Sequence, residues 1–81
     1  MSKNFTALVS KQSKYLYKVR GDDAETGRKA WWILRVKPEK SAIFTKIIEK
    51  GHLRLTDYGE ILESGFGEQE SVKILEKYGF K

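Results

Sequence analysis

Apolar and polar side chains alternate with period two in two stretches of the chain, residues 14–20 and 30–37. In the first stretch one side is aromatic or aliphatic and the other is mostly basic; in the second, both sides carry apolar residues. Alternation of this kind, built from β-branched and aromatic residues, predicts two half-buried strands. Residues 21–27 between them contain two glycines and two aspartates, which favour a turn. We therefore predict an antiparallel hairpin.

A helical pattern follows the hairpin. Ile43, Phe44 and Ile47 recur at the spacing of one helix face. Pro38 suits the first turn of a helix, because its missing N–H would have no partner there. The pattern predicts a helix that begins at Pro38 and ends near Gly51, a residue that readily adopts the left-handed conformation of a helix end.

The last third of the chain predicts another strand and another helix. Residues 53–55 read as a short extended piece, and residues 60–66 read as a strand with a bulge or bend at its glycines. Glu68 and Glu70, on either side of Gln69, favour the start of a second helix, because the helix dipole attracts anions there. Gly79 would end that helix, and Phe80 would fold back onto it.

These elements predict the α+β class in a single small domain of residues 1–81. The expected architecture is a small antiparallel sheet, formed by the N-terminal hairpin plus one or two later strands, with two helices packed on one face. The expected order is β-β-α-β(β)-α. Residues 5–9 fit either a short strand or part of a loosely held arm spanning residues 1–13.

Charge is distributed unevenly along the 81 residues. The first forty hold ten basic and four acidic side chains, and the remaining forty-one hold six and seven, so the net charge of +5 originates in the N-terminal half. The chain has no cysteine, which excludes disulfides and thiolate metal sites. No stretch resembles a signal peptide or a membrane span, so a cytoplasmic location is expected.

The sequence does not favour enzymatic chemistry. His52 is the only histidine and there is no cysteine, so a cysteine–histidine pair and ordinary zinc sites are excluded. The Gly65-Phe66-Gly67 segment matches neither the P-loop nor the dinucleotide-binding pattern, and Glu68 next to it would repel a phosphate. We expect no catalytic residue, no metal and no cofactor.

A basic, aromatic-bearing face of the hairpin is the strongest functional candidate. Cations would hold an acidic partner, which could be nucleic acid, and an exposed ring could stack on a base. The alternative for these residues is an ordinary solvated face with its tryptophan covered by residues 1–13. A second hypothesis is a protein-interaction module or homodimer that works through Trp31 or a sheet edge. The candidate binding residues are Lys14, Lys18, Arg20, Trp31, Arg35 and Lys37.

Residues 57–67 read D-Y-G-E-I-L-E-S-G-F-G and follow the Trp31–Trp32 pair and the predicted Pro38 helix. This arrangement resembles a group of small uncharacterised bacterial proteins that share a D-Y-G-x-[IV]-L-x-S-G-x-G segment between two helices. The resemblance covers about residues 30–80. It implies a bacterial cytosolic origin and a compact domain, and it brings no activity, ligand or site residue with it.

Overall fold

The computed structural model describes residues 5–48 and 54–81, which form four strands, two α-helices and two 3-10 turns. In chain order these are β1 (Thr6–Val9), β2 (Leu16–Asp22), β3 (Lys29–Val36), a 3-10 turn (Pro38–Lys40), α1 (Ser41–Ile47), a second 3-10 turn (Leu55–Asp57), β4 (Gly59–Phe66) and α2 (Val72–Lys77).

The four strands form one antiparallel sheet in the order β1-β2-β3-β4. The α+β class and the hairpin of β2 and β3 are therefore confirmed, but the predicted element order is wrong. Three strands precede α1, because residues 6–9 pair with β2 as a strand. Four residues with one aliphatic pair, Leu8 and Val9, carry too little periodic signal to distinguish a strand from an arm.

The two helices lie on opposite faces of the sheet, which corrects the prediction of two helices on one face. Tyr17 and its face neighbours pack against Phe44 of α1 and the apolar residues around it. Leu16, which points the other way, belongs to a second cluster that packs against Ile74 of α2. Because β3 carries apolar side chains on both faces, each face needs its own cover, and the chain supplies one helix to each.

The helix predicted from Pro38 is shorter and more divided than expected. A 3-10 turn occupies Pro38–Lys40, and α1 follows as Ser41–Ile47. The predicted helix end at Gly51 falls in residues 49–53, outside the described part of the chain. Leu55 is not extended as predicted, because it begins a 3-10 turn closed by a bond from the Tyr58 amide to its carbonyl (3.0 Å).

The strand at residues 60–66 is confirmed, as is the bend predicted at its glycines, whereas a bulge lies elsewhere in the strand. The register between β3 and β4 shifts between Ile33 and Leu34, which leaves Leu62 as the extra residue on β4. Gly67 turns the chain after β4 with a φ of +112°.

The second helix begins later than predicted, at Val72, with the Ser71 hydroxyl accepting a hydrogen bond from the Ile74 amide. Its end agrees with the prediction: Gly79 has a φ of +80°, and the Phe80 amide donates to the Leu75 carbonyl at 2.8 Å. Neither described helix has the length and apolar content that crossing a membrane requires.

Candidate functional site

The predicted binding residues that lie within the strands share one face of the sheet. Arg20 stands opposite Trp31, and Lys18 stands opposite Ile33. Arg35 follows Ile33 by two residues on the same face. The strand periodicity therefore placed these side chains on the correct side of the hairpin.

This face is covered rather than open, which corrects the expectation of an exposed basic and aromatic surface. Trp31 is 7% exposed and Lys18 is 8% exposed. Three partly buried apolar residues from the C-terminal segment, Ile74, Tyr78 and Phe80, pack over this face. The Trp31 ring also lies across β4, where a Cβ added at Gly65 would come within 2.6 Å of Cζ2. Trp31 therefore has no free ring face for stacking on a base.

Arg20 is neutralised by a buried acid. Its Nε donates to Oε2 of Glu70 at 3.0 Å, and its Nη2 donates to Oε1. The Glu70 side chain has no exposed area, whereas that of Arg20 is 39% exposed. Burial raises the pKa of the Glu70 carboxyl. This effect is outweighed by hydrogen bonds from Arg20 and from the Glu70 amide, and by the positive charges of Lys18 and Arg20. The pKa of Glu70 therefore lies below its usual value. The hydrogen bond from Arg20 in turn raises the pKa of the guanidinium.

The remaining candidates are exposed at one end of the sheet, where β2 begins and β3 ends. Main-chain hydrogen bonds hold this end of the sheet together. The Val36 amide donates to the Tyr15 carbonyl, and the Lys37 amide donates to the Tyr58 carbonyl, both at 2.8 Å. The Ser10 amide likewise donates to the Leu16 carbonyl at 2.8 Å. Five cations lie at this end of the sheet: Lys11, Lys14, Arg35, Lys37 and Lys40. We call this group the basic end.

None of the five cations of the basic end forms an ion pair with a carboxylate of residues 5–48 or 54–81. Lys40 donates to the carbonyl of Asp57 at 3.0 Å and lies 5.9 Å from the Tyr58 ring centre. Lys14 lies 5.2 Å from the ring centre of Tyr15. These cation–π contacts keep the ammonium groups beside an aromatic surface without neutralising them.

Carboxylates gather at the opposite end of the sheet, around the turn between β2 and β3 and the segment after β4. They are Asp22, Asp23, Glu25 and Glu68, accompanied by the cations Arg28 and Lys29. Three further carboxylates, Glu39, Asp57 and Glu60, do lie near the basic end. Charge in this domain is thus separated mainly along the strands, and not between the two faces of the sheet.

Two residues of the basic end, Lys11 and Lys40, are not among the binding residues predicted from the sequence. Lys11 lies before β2, in a stretch without periodic signal, and the sequence predicts a helix at Lys40, where the chain forms a 3-10 turn. The available signal for Lys40 was its position two residues after Pro38, which places it in the first turn after β3.

The described residues contain no group of three or more His, Cys, Asp or Glu side chains that could hold a metal. The four side chains in this part of the chain with clearly shifted pKa values, Arg20, Glu63, Glu70 and Lys77, each have a hydrogen-bond or ion-pair partner that explains the shift. His52 lies in residues 49–53, outside the described ranges.

Comparison of the chain with protein-family models, with curated proteins and with solved structures gives no match. The resemblance carried by residues 57–67 stays a prediction, and so does the bacterial cytosolic origin that it implies.

Proposed function

We propose that this protein is a non-enzymatic binding module that holds the phosphate backbone of a nucleic acid at its basic end. The observation that carries the proposal is the convergence of five cations at one end of the sheet without an ion pair to any described carboxylate. Lysine and arginine side chains in such a cluster release the counterions of a polyanion on binding, which gives affinity without base recognition.

The structure supports this site better than the hairpin face. Lys18 and Trp31 are buried, and Arg20 is paired with Glu70. Arg35 and Lys37, by contrast, are exposed on the last residues of β3 and just after it. The carboxylates at the far end of the sheet would orient the domain, because they repel the same phosphates that the basic end attracts.

A salt-dependent titration with a short, fluorescein-labelled single-stranded DNA tests the proposal. If the basic end contacts about four phosphates, the logarithm of the affinity falls with the logarithm of salt concentration with a slope of about −3. The double variant Lys14→Glu/Lys37→Glu removes two of these contacts and should reduce the slope by about 1.4. Fluorescence anisotropy measures both quantities.

The matched control is Lys46→Glu/Lys73→Glu, which changes the net charge equally on exposed helix positions. We expect this control to keep the slope of the unmodified protein, because these lysines lie outside the basic end. Equal effects of the two double variants would show that only the net charge of the protein matters. Absence of binding at low salt would rule out the nucleic-acid function.

A further inference from the structure

The two outer strands of the sheet, β1 and β4, differ in how well their edges are protected. An outer strand presents unpaired main-chain N–H and C=O groups, which can pair with a strand of another chain. The edge at β4 carries the charges of Glu60 and Glu63 and a bulge at Leu62, and both features oppose such pairing. The edge at β1 contains no charged residue, no proline and no bulge.

The β1 strand also exposes aliphatic side chains on both faces of the sheet. Leu8 is 58% exposed and Val9 is 52% exposed. Because the two residues are neighbours in a strand, their side chains point to opposite faces. This edge therefore combines free main-chain groups with apolar surface above and below them.

Hydrogen-bond direction alternates along β1 and identifies the groups that point away from the sheet. The Ser10 amide donates to the Leu16 carbonyl at 2.8 Å, so the even-numbered residues of β1 bond to β2. The main-chain groups of Phe5, Ala7 and Val9 consequently point outward. In the described part of the chain, these three residues form no main-chain hydrogen bond outside the pairing with β2.

We propose that β1 pairs with β1 of a second copy of this chain, antiparallel about a two-fold axis at Ala7, so that two sheets join into one of eight strands. Such an axis, perpendicular to the sheet, pairs only residues that share a face. Ala7 then faces Ala7 of the second copy, and Phe5 faces Val9 of the second copy. All three outward-pointing residues of each copy are thereby bonded.

The position of the axis follows from a main-chain contact at the end of β1. An axis at Leu8 would place Phe5 opposite Lys11 of the second copy. The Lys11 amide already donates to the Gly79 carbonyl at 2.9 Å, so it is not free to pair. Only the axis at Ala7 uses every free group of this edge.

Side chains agree with the same register. Val9 comes to lie beside the Phe5 ring of the second copy, and pairs of aromatic and β-branched residues stabilise antiparallel strands. Leu8 comes to lie beside Thr6 of the second copy on the other face. The small side chain of Ala7 lets the two strands approach closely at the axis. Pairing therefore covers both exposed aliphatic residues of β1.

Charge favours the antiparallel arrangement over a parallel one. The antiparallel arrangement places the basic end of each copy at the same end of the joint sheet as the β2–β3 turn of the other copy. Around that turn and the segment after β4, the described carboxylates Asp22, Asp23, Glu25 and Glu68 outnumber the cations Arg28 and Lys29. A parallel arrangement would bring like charges together, so electrostatic complementarity fixes the orientation.

The sequence allows a homodimer through Trp31 or through a sheet edge; Trp31 is covered, and this proposal uses the edge. Pairing of two short strands buries little area, so we expect a weak dimer with a Kd on the order of 100 µM. The proposal does not depend on nucleic-acid binding at the basic end, because self-association is measured without nucleic acid. Either proposal can therefore fail alone.

Sedimentation equilibrium of the full-length protein, between about 20 µM and about 1 mM, tests the association. Leu8→Glu places a charge on the edge, where Lys18 of the same copy lies opposite it on β2, and should raise the Kd at least about tenfold. Ile43→Glu is the matched control, because it makes the same change at a side chain that is 55% exposed on α1, and it should leave the Kd unchanged. A unmodified protein that stays monomeric over this range, or equal effects of the two variants, would overturn the proposal.

A cysteine crosslink tests the register and does not depend on the Leu8 variant. The chain has no cysteine of its own, so Ala7→Cys introduces one thiol per copy. A hydrogen-bonded antiparallel pair has Cα atoms about 5.5 Å apart, within the range that a disulfide spans. Oxidised glutathione, which takes up the two electrons and two protons of the thiols, should link Ala7→Cys into a dimer at least about tenfold faster than Ser64→Cys, an exposed position on β4. Equal rates, or faster linkage of Ser64→Cys, would refute pairing through β1.

Discussion

The ion pair between Arg20 and Glu70 should be strongly asymmetric in its contribution to stability. Arg20→Met leaves the Glu70 carboxylate with no exposed area and without its guanidinium, a loss we expect to cost about 3 kcal/mol. Glu70→Gln leaves a guanidinium whose side chain is 39% exposed, which water can hydrate and which can still donate to the amide oxygen. That change should cost only about 1 kcal/mol.

The pH dependence of these losses follows from the lowered pKa of Glu70. A carboxyl whose pKa is lower in the folded state stabilises the fold above its unfolded pKa of about 4.3. This stabilisation is lost as the pH falls through the folded pKa, so the stability advantage of the unmodified protein over Glu70→Gln should narrow below about pH 4. Arg20→Met should be less destabilised in acid than at pH 7, because the buried carboxyl can then take up a proton.

Urea unfolding followed by tryptophan fluorescence measures the free energy of unfolding of both variants and of the double variant at pH 7 and at about pH 3, below the unfolded pKa of Glu70. Three outcomes would refute the reasoning: equal losses for the two single variants, a larger loss for Glu70→Gln, or losses that do not change with pH. The double variant should cost less than Arg20→Met alone, because it removes the unpaired buried charge.

Three further predictions are tested by the same unfolding assay. Phe44→Ala removes a ring with no exposed area and should cost about 4 kcal/mol, whereas Ile43→Ala beside it, 55% exposed, should cost about 0.5 kcal/mol; similar values would argue against α1 as a core helix. Gly59→Ala places a methyl group against the backbone of β3 and should cost about 3 kcal/mol of stability. Gly27→Ala introduces only strain at a positive φ and should cost about 1 kcal/mol. A larger loss for Gly27→Ala than for Gly59→Ala would contradict the β3–β4 register. Ser71→Ala removes the α2 cap and should cost about 1 kcal/mol, and no measurable loss would show that the cap is dispensable.

Local patterns predicted the strands of the hairpin, the strand at residues 60–66 and the end of α2. Alternation in residues 14–20 and 30–37 identified the hairpin and correctly assigned which side chains share a face. Gly79 and Phe80 identified the end of α2, because a left-handed glycine followed by an apolar residue has a specific hydrogen-bond pattern. These features depend on neighbouring residues alone.

Features that depend on distant contacts were not predictable in the same way. The sequence predicts Glu70 as an anion at the start of a helix, but Glu70 lies before α2 and binds Arg20, fifty residues away in the chain. Whether Trp31 is covered depends on which face receives α2, and the amphipathic pattern of a helix does not specify that. Lys11 and Lys40 were not predicted because the basic end combines the β1–β2 connection with the end of β3 and the turn after it, which only the sheet topology brings together.

The strand order has a consequence for the folding kinetics of the chain. Each strand pairs with the strand before it in the chain. The strands β1, β2 and β3 can therefore pair through short connections, whose closure costs little conformational entropy. The addition of β4 must instead close the segment of residues 37–58, which carries α1. We therefore expect a three-stranded N-terminal meander to form early, with β4 and the C-terminal segment joining it in the slower step.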